Sequence, residues 1–135
     1  MAVTYAATLK TNRMQLVADL IASKTAASST GTATAGSLII GTSALSGATG
    51  VLATITLSAT PGTVTGNVLT LSGTPLSATA SATGTAALAE FRNNAGTVIV
   101  SGLTVGTSGT DITINATAIS SGQSVQVTSG TITHG

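Results

Sequence analysis

The sequence predicts an all-β fold, a β-sandwich or jelly roll of about eight short strands preceded by one N-terminal amphipathic helix. Three observations carry that prediction. The hydrophobic period changes from helical spacing to strict alternation near Ser37. Turn signals then arrive about every 8–12 residues, the rhythm of a sandwich. Thr, Ser, Ala and Gly dominate the composition, and the only large aromatics are Tyr5 and Phe91. Thr is β-branched and suits a pleated surface, while Gly and Ser mark turns.

The helix is expected over Ala6 to Ser23. Leu9, Leu16, Val17, Leu20 and Ile21 recur at helical spacings and gather on one stripe, with Thr8 or Thr11 as the N-terminal cap. Residues 1–23 therefore read as an N-terminal arm and helix. Lys24 to Gly36 has low complexity and no large apolar residue, so residues 24–36 read as a flexible connector from which the helix could swing out. Residues 37–135 read as the β body.

Within the body, Leu38 to Ile40 forms a short apolar strand. Val51, Ala53, Ile55 and Leu57 alternate with Leu52, Thr54 and Thr56. Thr60-Pro61-Gly62 is a turn signal. Gly66-Asn67 is a two-residue hairpin loop between Val64 and the Val68–Leu71 strand. Ser77 to Ala82 is a small-chained edge strand. Ala87, Ala89 and Phe91 face away from Leu88, Glu90 and Arg92. The turn Asn93–Gly96 then leads to Val98 and Val100. Ile112 with Ile114, Val125 with Val127, and Ile132 complete the alternation. Thr-x-Thr pairs recur too irregularly for the constant period of a stacked solenoid.

Charge is scarce: four Lys or Arg and three Asp or Glu in 135 residues. An ordinary domain carries roughly a quarter charged residues. Leu, Ile, Val and Phe91 still make up about a quarter of the chain, above the fraction read as disordered, and the net charge is only +1. Low charge favours a chain that works covered by partners over a free monomer. Four of the charges, Lys10, Arg13, Asp19 and Lys24, sit on or beside the helix. The helix is read as packed on its own sheet with a solvated outer face, and also as a docking element. The docking residues would be Leu9, Lys10, Arg13, Leu16, Val17, Leu20, Ile21 and Lys24.

The same scarcity leaves little for chemistry, and no enzymatic activity, cofactor or metal is expected. His134 is the sole histidine and stands next to the last residue, a poor place for a positioned base, and no Gly-x-Ser-x-Gly elbow accompanies it. Glu90 and Asp111 could approach across strands, but Arg92 lies on the same face as Glu90 and suggests a cross-strand or surface ion pair, of the exposed kind that contributes only about 0–1 kcal/mol. Asp111 lies in a loop-like run from Gly106, but one carboxylate falls far short of the six to eight oxygens calcium takes. Lys10, Arg13 and Lys24 are too few for nucleic-acid binding. No phosphate-binding fingerprint is present. The chain has no cysteine, which fits a reducing site of assembly. It shows no signal peptide and no apolar run of the roughly 20 residues that span a bilayer, so no membrane partner is expected. The Asn115-Ala116-Thr117 triplet reads as a chance glycosylation match.

Two segments resemble a known family. The run MAVTYAATLKTNRMQLV, from Met1 to Val17, and the run from Glu90 to Gly135, EFRNNAGTVIVSGLTVGTSGTDITINATAISSGQSVQVTSGTITHG, are similar to small β-rich virion structural proteins of tailed bacteriophages. The resemblance covers a little under half of the chain, at its two ends. It implies a non-enzymatic particle protein of the capsid cement or decoration type. Such a protein is made in the host bacterial cytoplasm and placed on the capsid surface. It bridges subunits of the major capsid protein and associates with itself as a dimer or trimer. The alternative is a collar, tail or tail-tip component, including a host-surface adhesin module.

Overall fold

The chain combines four strands of eight to ten residues with seven of two to five, and both kinds contribute to the core. The computed structural model describes residues 6–22, 35–57 and 62–133. Helix α1 spans Ala7–Ile21. The strands are β1 Ser37–Ser46, β2 Thr49–Thr56, β3 Gly62–Thr65, β4 Val68–Leu71, β5 Leu76–Thr79, β6 Gly84–Thr85, β7 Leu88–Arg92, β8 Val98–Gly106, β9 Ile112–Ile114, β10 Ala118–Ile119 and β11 Ser124–Thr133. The all-β class with one N-terminal helix holds. The strands are more numerous than expected because β6, β9 and β10 are two or three residues long, too short to show a period.

The main sheet runs β2-β1-β7-β8-β9-β11-β4-β3, and β5 also pairs with β11. Every ladder is antiparallel except β8 with β9, which is parallel at Val105↔Ile112 and Gly106↔Thr113. Residues of one strand face line up into rows across the sheet. Ile55, Leu38, Phe91 and Val100 form one such row, and Ala53, Ile40, Ala89 and Leu103 the next. Large side chains thus sit beside small ones, which lets the layer fill without voids. The apolar recess bounded by Leu69, Leu71, Phe91, Gly130 and Ile132 is too tight to admit a water molecule.

Strand β11 holds the curled, sandwich-like sheet together. On one side, its first half pairs with β5 and its last three residues with β4; on the other it pairs with β9. The chain after β5 reaches across to β2, where the Ser81 N–H donates to the Leu52 carbonyl at 2.8 Å. That bond links the far end of the strand order back to β5 and β11. Thr63, Thr70 and Thr131 lie side by side on the outer surface, with Val64, Leu69 and Ile132 beneath them.

Gly66-Asn67 forms the expected hairpin loop, with Gly66 at φ +59, a conformation that costs glycine little. The Asn93–Gly96 turn also forms, closed by the Thr97 N–H donating to Asn93 Oδ1 at 2.9 Å. Of the Thr60–Gly62 turn signal, only Gly62 lies within the described residues, and it opens β3. The expected edge strand Ser77–Ala82 begins one residue earlier and stops at Thr79, because Ala80 and Ser81 bond to the β10–β11 turn and to β2.

Strand β8 changes partners along its length. It pairs with β7 from Val98 onward, but with β9 only at its last two residues. Two register shifts interrupt the β7–β8 ladder, one between Ala89 and Phe91 opposite Gly102, whose φ is +75, and one between Phe91 and Arg92 opposite Ile99. Bulges kink a strand and end its pairing on one side. The edge of Val98–Leu103 away from β7 therefore has no ladder partner among the described residues.

Candidate docking surface

Helix α1 starts without a side-chain cap. Its N-cap is Ala6, in extended conformation, so neither Thr8 nor Thr11 takes the expected role. The helix packs against β3, β4 and β8. It does so through Met14, Ala18 and Ile21, which belong to the same buried core as Leu38 and Phe91, with Val17 packed beside them. These four recur at spacings of three and four and form one face.

The single stripe expected from the sequence therefore divides in two. Val17 and Ile21 turn to the core, and Ile21 is fully buried. Leu9, Leu16 and Leu20 lie about 140° around the helix axis from Met14, by the 3.6-residue turn, and Arg13 lies among them. Leu9 is exposed, and Arg13, Leu16 and Leu20 are half-buried. The structure thus keeps Leu9, Arg13, Leu16 and Leu20 together on an outer face and removes Ile21 from any contact with a partner while the helix is packed. Lys10 lies on the helix backbone at a wheel position nearer Val17. Lys24 lies outside the described residues, as do His134 and most of the 24–36 connector.

The sequence reading missed Met14, Ala18 and Gly36. Met14 and Ala18 carried a usable signal, since Met14, Ala18 and Ile21 stand at i, i+4 and i+7. Gly36 did not, because it closes a low-complexity run in which a second glycine, Gly31, has the same local surroundings. Gly36 is buried, and a Cβ there would lie 2.5 Å from both the Ile21 and the Arg92 carbonyl oxygens. Only glycine lets the end of α1 and the end of β7 approach across this point.

Each acidic residue is held by a local contact. Asp19 is buried, and its Oδ1 accepts a hydrogen bond from Gln15 Nε2 at 3.1 Å. Asp111 Oδ2 accepts from the Thr104 N–H at 3.0 Å and from Thr104 Oγ1 at 3.1 Å, while the Asp111 N–H donates to Thr104 Oγ1 at 3.1 Å. This closes the loop between β8 and β9 and ties up the carboxylate that had suggested a metal loop. Among the described residues no group of three or more His, Cys, Asp or Glu side chains comes together.

The Glu90–Arg92 pair corrects the expectation of an exposed ion pair. Glu90 is only 5% exposed. Arg92 Nε donates to Glu90 Oε1 at 2.7 Å, and Arg92 Nη2 bonds both to that oxygen and to the Gly47 carbonyl, the latter at 2.6 Å. Glu90 stands opposite Ile39 on β1, itself buried. The guanidinium thus bridges strand β7 to the tip of the β1–β2 hairpin. Burial of the outer sheet face here could not be read from alternation, which gives sides but not cover.

No described helix is long and apolar enough to cross a membrane. Fold and surface together define an all-β, sandwich-like domain with a helix that is apolar on two faces. In comparisons with known proteins, the chain matches no protein-family model, no curated protein and no solved structure.

Proposed function

We propose that this chain is a non-enzymatic structural protein of a phage particle, of the cement or decoration type, attached in many copies to subunits of the major capsid protein. The observation that supports attachment is the second apolar face of α1. Met14, Ala18 and Ile21 already fix the helix to the body, yet Leu9, Leu16 and Leu20 still lie on the other side with Arg13 among them. A solvated outer face would carry polar residues at those positions. Leu9 is exposed and Leu16 and Leu20 are partly buried, so a partner that covers the area left open on this face gains about 25 cal/mol per Å² of apolar surface removed from water. The resemblance at the two ends of the sequence supplies the particle. Repetition supplies the strength, because modest contacts made at many equivalent sites oppose opening of a shell together.

The test is a pair of variants on assembled heads. Leu16→Asp and Leu20→Asp leave the core face of Met14, Ala18 and Ile21 intact, and are expected to fold with reduced stability but to lose attachment. Attachment is also expected to survive high salt, because apolar contacts are not screened. Heads stripped of the protein should rupture at lower temperature than decorated ones. Unchanged binding by both Asp variants, or heads of unchanged stability, would refute the reading. Attachment to tail or collar preparations in place of heads would favour the alternative location in the particle.

A further inference from the structure

We propose that the tip of the β1–β2 hairpin is a hinged flap, folded back over the outer face of the sheet, fastened there by Arg92 and Glu90, and able to open while the body stays folded. The fold-back follows from one contact. Arg92 stands opposite Ser37, the first residue of β1, yet its Nη2 donates to the Gly47 carbonyl, just past the end of that strand, at 2.6 Å. The ten residues of β1 would span about 33 Å if straight, far beyond the reach of one side chain. The hinge lies at Gly41 and Gly50. The ladder of β1 with β7 ends at Gly41, and its ladder with β2 is irregular between Gly41 and Ser46. The two backbones close on each other there: a Cβ on Gly41 would lie 2.8 Å from the Gly50 carbonyl oxygen, and Gly50 has φ +75.

The fastening is polar and the flap itself buries little. Ser43, Ala44, Ser46, Gly47, Ala48 and Thr49 are all exposed, and Leu45 is half-buried. Segments with few buried apolar contacts open at low cost, apart from global unfolding. Arg92 Nε and Nη2 both donate to Glu90 Oε1, which aims the guanidinium at Gly47. Strands β1, β2 and β8 carry no charged side chain, so Glu90 is the carboxylate on these strands and β7 that can do this. Without its charge the hold on the guanidinium is roughly halved, and Arg92 is free to turn to water and release Gly47. Beneath the flap lie Glu90 and its cross-strand neighbour Ile39, 5% and 2% exposed. Leu38 and Ile40 belong to the core, so Ile39 between them faces the other way. Opening therefore uncovers an isoleucine beside an ion pair, a patch the closed state hides.

The chain has no cysteine, so single introduced thiols report the opening. Ile39→Cys puts a thiol under the flap, and Leu38→Cys puts one in the core. In the purified chain, the thiol at position 39 should react with an aromatic disulfide reagent about tenfold faster or more than the thiol at position 38, which waits for global unfolding. Adding Glu90→Gln keeps the shape and removes the charge. It should raise the rate at position 39, relative to that at position 38, by about tenfold. Taking the ratio cancels any loss of global stability. A rate at position 39 equal to that at position 38, or a ratio that Glu90→Gln leaves unchanged, overturns the proposal. A second readout leaves the buried positions alone. A nitroxide attached to Ala48→Cys, an exposed site, should show faster motion in its paramagnetic resonance spectrum once Glu90→Gln is added. An unchanged line shape also overturns the proposal. None of these variants touches α1, so their failure leaves attachment through the helix standing.

Discussion

Truncating Ile21 to alanine tests the packing on which the two-faced helix depends. Ile21 is fully buried in the core shared with Leu38 and Phe91. The change removes three carbons, which at ~0.8 kcal/mol each is about 2.4 kcal/mol of lost transfer free energy. The hole left behind adds a cavity cost, since Gly36 and the core residues around it collapse only partly, for a total of roughly 3–4 kcal/mol. For a chain of 135 residues, 1 kcal/mol corresponds to about 3.5 °C in Tm. Thermal unfolding followed by far-UV circular dichroism should therefore show Tm lower by about 10–14 °C. Leu16→Ala, on the outer face, should cost clearly less, about 1–2 kcal/mol, because that side chain keeps part of its surface in water and leaves no closed cavity. The contrast is the decisive quantity. If both substitutions cost the same small amount, α1 does not pack on the sheet in solution, and the division of the helix into a core face and an outer face is wrong.

Two further predictions follow from close contacts in the body. Glu90→Ala leaves the Arg92 guanidinium largely buried without its carboxylate, and should cost about 3 kcal/mol, at the low end for a buried pair because Arg92 keeps some exposure; a Tm within 2–3 °C of the natural chain, by the same conversion, would show that water replaces the carboxylate. Gly36→Ala places a methyl group against two backbone oxygens that no side-chain rotation can move, and should cost about 1–3 kcal/mol by chemical denaturation; an unchanged midpoint would mean that the helix end and β7 do not meet at this residue.

Much of the body was legible in the sequence because its strands alternate cleanly. Ile112 with Ile114 and Val125 with Val127 point inward as the period of two requires, and Gly66-Asn67 closes its hairpin. Three features were not legible, for separate reasons. The outer face of β7 is covered by the curl of the β1–β2 hairpin, so Glu90 is buried although its position in the pattern is outward. The inward face of α1 uses Met14 and Ala18, which a reading weighted toward Leu, Ile and Val passes over. The role of Gly36 depends on two chain segments meeting in space, and nothing local to Gly36 reports that. Of the expected docking residues, Leu9, Arg13, Leu16 and Leu20 lie together on the outer face, while Val17 and Ile21 belong to the core face.

The position of β11 in the chain has a consequence for how the fold is reached. This strand pairs with β4, β5 and β9, so it supplies the shared seam of the curled sheet, and it is synthesised after every partner it joins. During translation, the strands before Ser124 can form local hairpins such as β3–β4, but the curled sheet cannot close until residues 124–133 have left the ribosome. Closure then couples distant segments in one step. A topology so rich in non-local pairings folds on a scale of roughly milliseconds to seconds. It also makes the seam an all-or-none checkpoint: a chain stopped short of Ser124 leaves β4, β5 and β9 with open edges at once, and incomplete copies are marked for aggregation or proteolysis before they can compete for a place in an assembly.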